Sequence, residues 1–74
     1  MLTYAQRRVY DALVELTQDG WPATVREVQR AVGLASPSSA YEHLRILAVR
    51  GFARQHPRNE KGGWLPATPA LGPS

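Results

Sequence analysis

Apolar residues at Val9, Ala12, Leu13 and Leu16 recur three and four positions apart, the spacing that lines one face of a helix. Thr3 and Gln6 precede them at capping-box spacing, so a first helix is expected to begin after Thr3, and Gly20 supplies its stop signal. Pro22 biases Trp21 toward an extended conformation, which makes Gly20-Trp21-Pro22-Ala23 a short extended connection. Thr24 and Glu27 form a second capping box, followed by an inward stripe of Val25, Val28, Ala31 and Val32 that ends at Gly33. After the turn Gly33-Leu34-Ala35-Ser36 comes Ser36-Pro37, which pairs a side-chain oxygen for an orphan amide with a proline where no amide hydrogen is missed. A third helix is expected from there to about Arg50.

Gly51 ends that helix. Phe52 to Pro57 reads as a short strand, Arg58 to Gly63 as a polar tip, and Trp64 to Pro66 as the returning strand. The fold class is therefore mainly α with a small β-hairpin, a three-helix winged helix-turn-helix. Residues 1–67 are expected to form this one domain. From Pro66 the composition shifts to Ala, Pro, Gly, Thr and Ser without charge, so 68–74 are expected to be a flexible tail or the start of a linker.

Two short helices joined by a glycine-initiated turn match the unit whose second helix enters the major groove of DNA, a spacing that plain three-helix packings also show. At about 100° per residue, Ala40, Leu44, Leu47 and Ala48 fall on one side of the third helix and must face the core. The opposite side belongs to Ser38, Glu42, Arg45 and Val49, with Ser39 and Ile46 on one edge and Tyr41 on the other. Serine hydroxyls donate or accept, Glu42 accepts from a cytosine amino group, and Arg45 reaches a guanine edge or a phosphate. The same face is also what an ordinary solvated helix shows, and Glu42 and Arg45 are spaced to pair with each other. Ile46 and Val49 fit neither reading; a place beneath the hairpin is one explanation for them.

Arg26 and Arg30, four apart and pointing away from the valines, can both reach one phosphate strand, or stand simply as two solvated arginines. At the hairpin tip, Arg58, Asn59 and Lys61 beside Gly62-Gly63 suit a wing on DNA backbone or in a minor groove, and equally a plain polar loop. Charge adds weight to the nucleic-acid reading. The 74 residues carry a formal net charge of +3. Two arginines stand against three acids through Thr24, and seven basic residues against three acids from Val25 onward. The basic surface therefore belongs to the part that holds the helix-turn-helix and the hairpin.

Other chemistries are excluded by what the chain lacks. There is no cysteine, hence no disulfide framework and no thiolate zinc site. His43 and His56 are too few and too isolated for a metal centre or a catalytic base, and Asp11 and Glu15 are a carboxylate pair only on an exposed helix face. No glycine-rich phosphate loop or nucleophile elbow occurs, so the expectation is a non-enzyme without cofactor or metal and without a small-molecule substrate. No apolar run could span a bilayer or serve as a signal core, which gives the expectation of a cytoplasmic, nucleoid-associated protein without membrane contact. Trp21, Trp64, Tyr4 and Phe52 need no ligand to explain them, since a core this small needs large apolar groups to close it, and Phe52 and Trp64 are the two expected to pack there.

The strings Leu2-Thr3 through Gln6, Gly20-Trp21-Pro22-Ala23-Thr24, Gly33-Leu34, Glu42-His43-Leu44, Leu47-Ala48 and Arg50-Gly51 carry a family likeness, most specifically in Ser-Pro-x-x-Ala-x-Glu-His-Leu at Ser36 to Leu44. Over about residues 2 to 66 the chain resembles the N-terminal DNA-binding domains of LexA-like repressors. The resemblance implies a winged helix-turn-helix that binds a palindromic operator as a pair of copies and represses transcription, usually of bacterial DNA-damage (SOS) genes. It also implies base reading from Ser36, Ser38, Ser39, Tyr41 and Glu42. Ser36 and Glu42 keep the familiar residue. Ser38 stands where asparagine is common, Ser39 where alanine is, and Tyr41 where glutamate is, so the operator preference need not be the usual one. Family members carry a second, self-cleaving domain, for which these 74 residues leave no room. The chain is thus either a DNA-binding domain cut from such a protein or a short relative from a phage or mobile element.

The function expected is that of a sequence-specific regulator of transcription acting on double-stranded DNA. The alternative is a winged-helix module that docks on a protein through Tyr41, Ile46 and Val49 without specific DNA binding.

Overall fold

The computed structural model describes residues 2–56 and 63–68. Three helices, α1 (Tyr4–Leu16), α2 (Val25–Val32) and α3 (Pro37–Val49), are followed by strands β1 (Ala53–Gln55) and β2 (Trp64–Pro66). The strands pair antiparallel with Arg54 opposite Leu65 and Gln55 opposite Trp64. This is the three-helix winged helix-turn-helix expected from the sequence, with β1 shorter than the stretch from Phe52 to Pro57.

Each helix starts at a hydroxyl side chain. Thr3 and Thr24 accept from the amides of Gln6 and Glu27, and those two side chains accept in return from the threonine backbones, so both capping boxes are formed. Ser36 accepts from the Ser39 amide, with Pro37 just inside the helix. The first helix ends at Leu16 with Thr17 as its cap, four residues before the expected stop at Gly20, which lies in the turn that follows. The other two helix ends need glycine for a geometric reason. Gly33 and Gly51 have φ of 83° and 87°, a region that a Cβ disfavours. There the Leu34 amide donates back to Gln29 at 3.0 Å, and the Phe52 amide to Leu47 at 2.8 Å. The turn between α2 and α3 gains a further tie from the Gln29 side chain, whose Nε2 donates to the Leu34 carbonyl at 3.2 Å.

The core is made of Val9 and Leu13 from α1, Val28 and Val32 from α2, Ala40, Leu44 and Leu47 from α3, and Ala23, Ala53 and Trp64. Two departures from the sequence reading concern large and small residues. Trp21 and Tyr4 do not close the core: they are 73% and 81% exposed. Trp64 and Phe52 pack as expected, and Phe52 meets Tyr10 edge to face with centroids 5.8 Å apart. Ala31 is exposed rather than part of the α2 stripe, because Val28 and Val32 already fill that side of a helix of only eight residues.

The extended connection of Ala23 pairs with Trp64 through two backbone hydrogen bonds, 2.9 Å from the Ala23 amide and 2.7 Å from the Trp64 amide. Trp64 is thus bonded to Ala23 on one side and faces Gln55 of β1 on the other, where the neighbouring Gly63 carbonyl accepts from the His56 amide at 2.8 Å. On α1, Arg8 extends over the Tyr4 ring, 5.9 Å from its centroid, and donates to the Val32 carbonyl at 2.9 Å. It places a cation at the C-terminal end of α2, where the helix dipole favours one.

Gly33→Ala tests the turn that sets α3 in place. A Cβ there would meet nothing within 4 Å, so only the left-handed backbone opposes it. The expected loss is about 1–2 kcal/mol in chemical denaturation; an unchanged unfolding midpoint would refute the strain account.

Candidate nucleic-acid interface

Rotation of α3 about its axis is decided by three side chains. Ala40, Leu44 and Leu47 have no exposed surface at all, and Ala48 is half-buried beside them. The opposite side, Ser38, Glu42, Arg45 and Val49, faces solvent. Ser39, on one edge, is half-buried; Tyr41, on the other, is 43% exposed. Ser36 is half-buried at the helix start with its Oγ accepting from Ser39 at 3.3 Å, which leaves the hydroxyl proton to donate elsewhere. Hydroxyls, a carboxylate, a guanidinium and a phenol therefore share one helix surface.

Arg26 and Arg30 are both exposed on α2, and neither forms an ion pair among the described residues. The nearest acid in sequence, Glu27, is engaged in the capping box through the Thr24 amide at 2.9 Å. Arg45 and Glu42 do not pair with each other either. The arginines of α1 are occupied differently: Arg7 meets Asp11 at 3.2 Å and Arg8 caps α2. The division of charge along the chain thus has a structural counterpart. The α1 cations are engaged, Arg7 with Asp11 on the surface and Arg8 at the end of α2, while Arg26, Arg30 and Arg45 are turned outward without an ion pair among the described residues. Arg58, Asn59 and Lys61 lie outside the described residues.

Ile46 and Val49 do not lie beneath the hairpin. They are 42% and 86% exposed, and with Glu42, Arg45 and Arg50 they line an open groove of about 420 Å³. The physical reason is the termination at Gly51: the chain turns back toward Leu47, on the buried side of α3, and carries β1 away from Ile46 and Val49.

Two features escaped the sequence reading. Arg54 is exposed on β1, next to the buried Ala53, and adds a cation on the hairpin; the pattern Ala-Arg-Gln in a short strand was the available signal. Trp64 touches Tyr41, with ring centroids 6.2 Å apart and planes at 72°, a contact between residues far apart in sequence that no local pattern announces. Arg50, by contrast, is tied into the fold, its Nη1 donating to Gln6 Oε1 at 3.2 Å. Among the described residues no group of three His, Asp or Glu side chains could hold a metal ion.

A split between surface and core substitutions is expected. Ser38→Ala, Glu42→Gln and Arg45→Gln should each leave stability within about 0.5 kcal/mol, whereas Leu44→Ala should remove about 2–5 kcal/mol. Thermal melts of the four variants check this, and a large loss at Ser38, Glu42 or Arg45 would mean that these side chains are structural.

The family profile that matches residues 1–62 is described as the LexA DNA binding domain. Over 57 residues the chain is 42% identical to a LexA repressor of Staphylococcus epidermidis, a span covering 76% of the chain and 28% of that protein. Two other LexA repressors are similar to it. That of Frankia alni is 38% identical over 61 residues, 81% of the chain and 24% of the relative. That of Carboxydothermus hydrogenoformans is 31% identical over 58 residues, 77% of the chain and 28% of the relative. The chain thus spans about a quarter of the length of these curated relatives.

Proposed function

The chain belongs to the LexA DNA-binding domain family, and from that membership we propose that it reads double-stranded DNA as the operator-binding domain of a transcriptional repressor. The observation that carries this reading is the two-sidedness of α3, whose leucines are sealed in the core while Ser38, Glu42 and Arg45 stand in solvent, with the α2 arginines exposed and in no ion pair among the described residues. A helix so held can lie in a major groove without losing its packing.

Arg26 and Arg30 neutralise phosphates of one strand as α2 crosses the backbone, and Arg45 reaches either a phosphate or a guanine edge. Ser36, Ser38, Ser39, Tyr41 and Glu42 supply selectivity at base edges. Arg58, Asn59 and Lys61, between the two strands in sequence, contact the backbone or the minor groove, with Arg54 on β1 adding a cation. One copy neutralises few phosphates and binds weakly, so the working form is two copies on adjacent half-sites of a palindrome. The setting is the bacterial nucleoid, in control of DNA-damage genes or of a phage or mobile element. No catalytic step is assigned to these residues.

The groove beside Ile46 and Val49 favours the second reading, a protein-docking module. One experiment separates the two. Titration with random duplex DNA at low salt should give binding that weakens steeply as salt rises. The double variant Arg26→Gln, Arg30→Gln should lower the logarithmic salt slope by about 2, at roughly 0.9 for each phosphate no longer neutralised, with circular dichroism unchanged. Absence of binding by the unaltered chain removes the DNA reading in favour of the docking module, and an unaltered slope in the variant takes both arginines off the contact surface.

A further inference from the structure

Tyr41 is the only aromatic side chain on the outward part of α3, and a buried core residue borders it on one side. Trp64 is 3% exposed, bonded to Ala23 through both its backbone amide and its carbonyl, and set opposite Gln55 in the hairpin register. It meets the Tyr41 ring edge to face, while 43% of Tyr41 remains open to solvent. A tyrosine has only two side-chain torsions, so a contact of this kind confines the ring at little entropic expense.

Held in this way, the residue offers two things together at one place: an apolar ring and a hydroxyl able to donate. A carboxylate can only accept, and in the major groove it selects the amino groups of cytosine or adenine. Glu42, next along the helix, already supplies such an acceptor. Thymine is the base that presents a methyl group beside an acceptor oxygen. Ring against methyl and hydroxyl to O4 satisfies both features of Tyr41.

Resting on the DNA-reading proposal, we infer that Tyr41 selects a thymine at its place in each half-site and that Trp64 is the positioning residue that aims it. The β-hairpin then contributes to base choice through its stem, apart from any contact its tip makes with DNA.

The test is selection of bound duplexes from a random pool by the 74-residue chain and its variants, followed by titration of single sites. The unaltered chain should enrich thymine at one position per half-site, and replacing that thymine by uracil, which lacks only the methyl, should weaken binding about threefold. Tyr41→Glu should move the preference at that position to cytosine or adenine and leave the others alone. Trp64→Phe keeps an aromatic ring in the core and removes an indole N–H that is buried without a hydrogen-bond partner, so the fold should survive. It should blunt discrimination at the Tyr41 position about threefold while random-duplex affinity and the remaining preferences stay as they were.

Enrichment of another base there, indifference to the methyl, or a preference unmoved by Tyr41→Glu overturns the inference about Tyr41. A uniform loss at all positions in Trp64→Phe overturns the positioning role and leaves Trp64 purely structural. If the unaltered chain fails to bind even random duplex, it is the DNA-reading proposal that falls, and this inference with it.

Discussion

Complete burial of Ala40, Leu44 and Leu47 is the constraint on which the remainder of the domain depends. Three points of contact along a helix of 13 residues leave it no freedom to roll, so the solvent face of α3 is settled by its leucines and not by the polar residues that occupy it. That separation matters in so small a protein. At roughly 0.05–0.15 kcal/mol per residue, a chain of this length has a total stability of about 4–11 kcal/mol, of which a single leucine-to-alanine change can remove a large part. A surface that varies without touching those leucines can change its recognition without endangering the fold.

The helix ends serve the same separation. Thr3, Thr24 and Ser36 satisfy amides that packing in so small a core could not reach, and Gly33 and Gly51 let the chain reverse within one residue. The Ser36 cap and the closure at Gly33 lie at opposite ends of the short turn between α2 and α3, with Gln29 bonded across it. A turn tied at both ends transmits the orientation of α2 to α3, so the arginines of α2 and the outward stripe of α3 keep a fixed relation. Arg8 strengthens this from the other side, anchoring the end of α2 to α1.

How much of this was legible depended on whether a feature is local. Caps, glycine stops and the 3.6-residue period are written within a few positions of each other, which is why the helices and the β2 strand at Trp64 to Pro66 were placed closely from sequence. The outward set Ser38, Glu42 and Arg45 followed from the same periodicity. The choice of Phe52 and Trp64 as packing residues holds, but nothing local shows why Trp21 stays outside. Trp21 and Trp64 are equally apolar, yet only Trp64 sits on a strand paired on both sides, a long-range fact of topology. The misplacement of Ile46 and Val49 has the same origin, since the path of the chain after Gly51 is set by tertiary packing. Ala31 was misassigned because a two-valine stripe suffices for an eight-residue helix.

Trp64 shows how few residues separate stability from recognition in a fold of this size. It is the largest side chain in the core, its backbone bonds the interhelical connection at Ala23 while its strand pairs with β1, and its ring borders the one outward aromatic residue of α3. In a larger protein these tasks fall to different layers, because enough buried surface exists to hold the hairpin independently of the reading helix. Here the hairpin cannot shift against α3 without disturbing the core, and the core cannot relax without releasing Tyr41. The apolar contact that stabilises the small sheet is therefore also the one through which that sheet bears on the reading face.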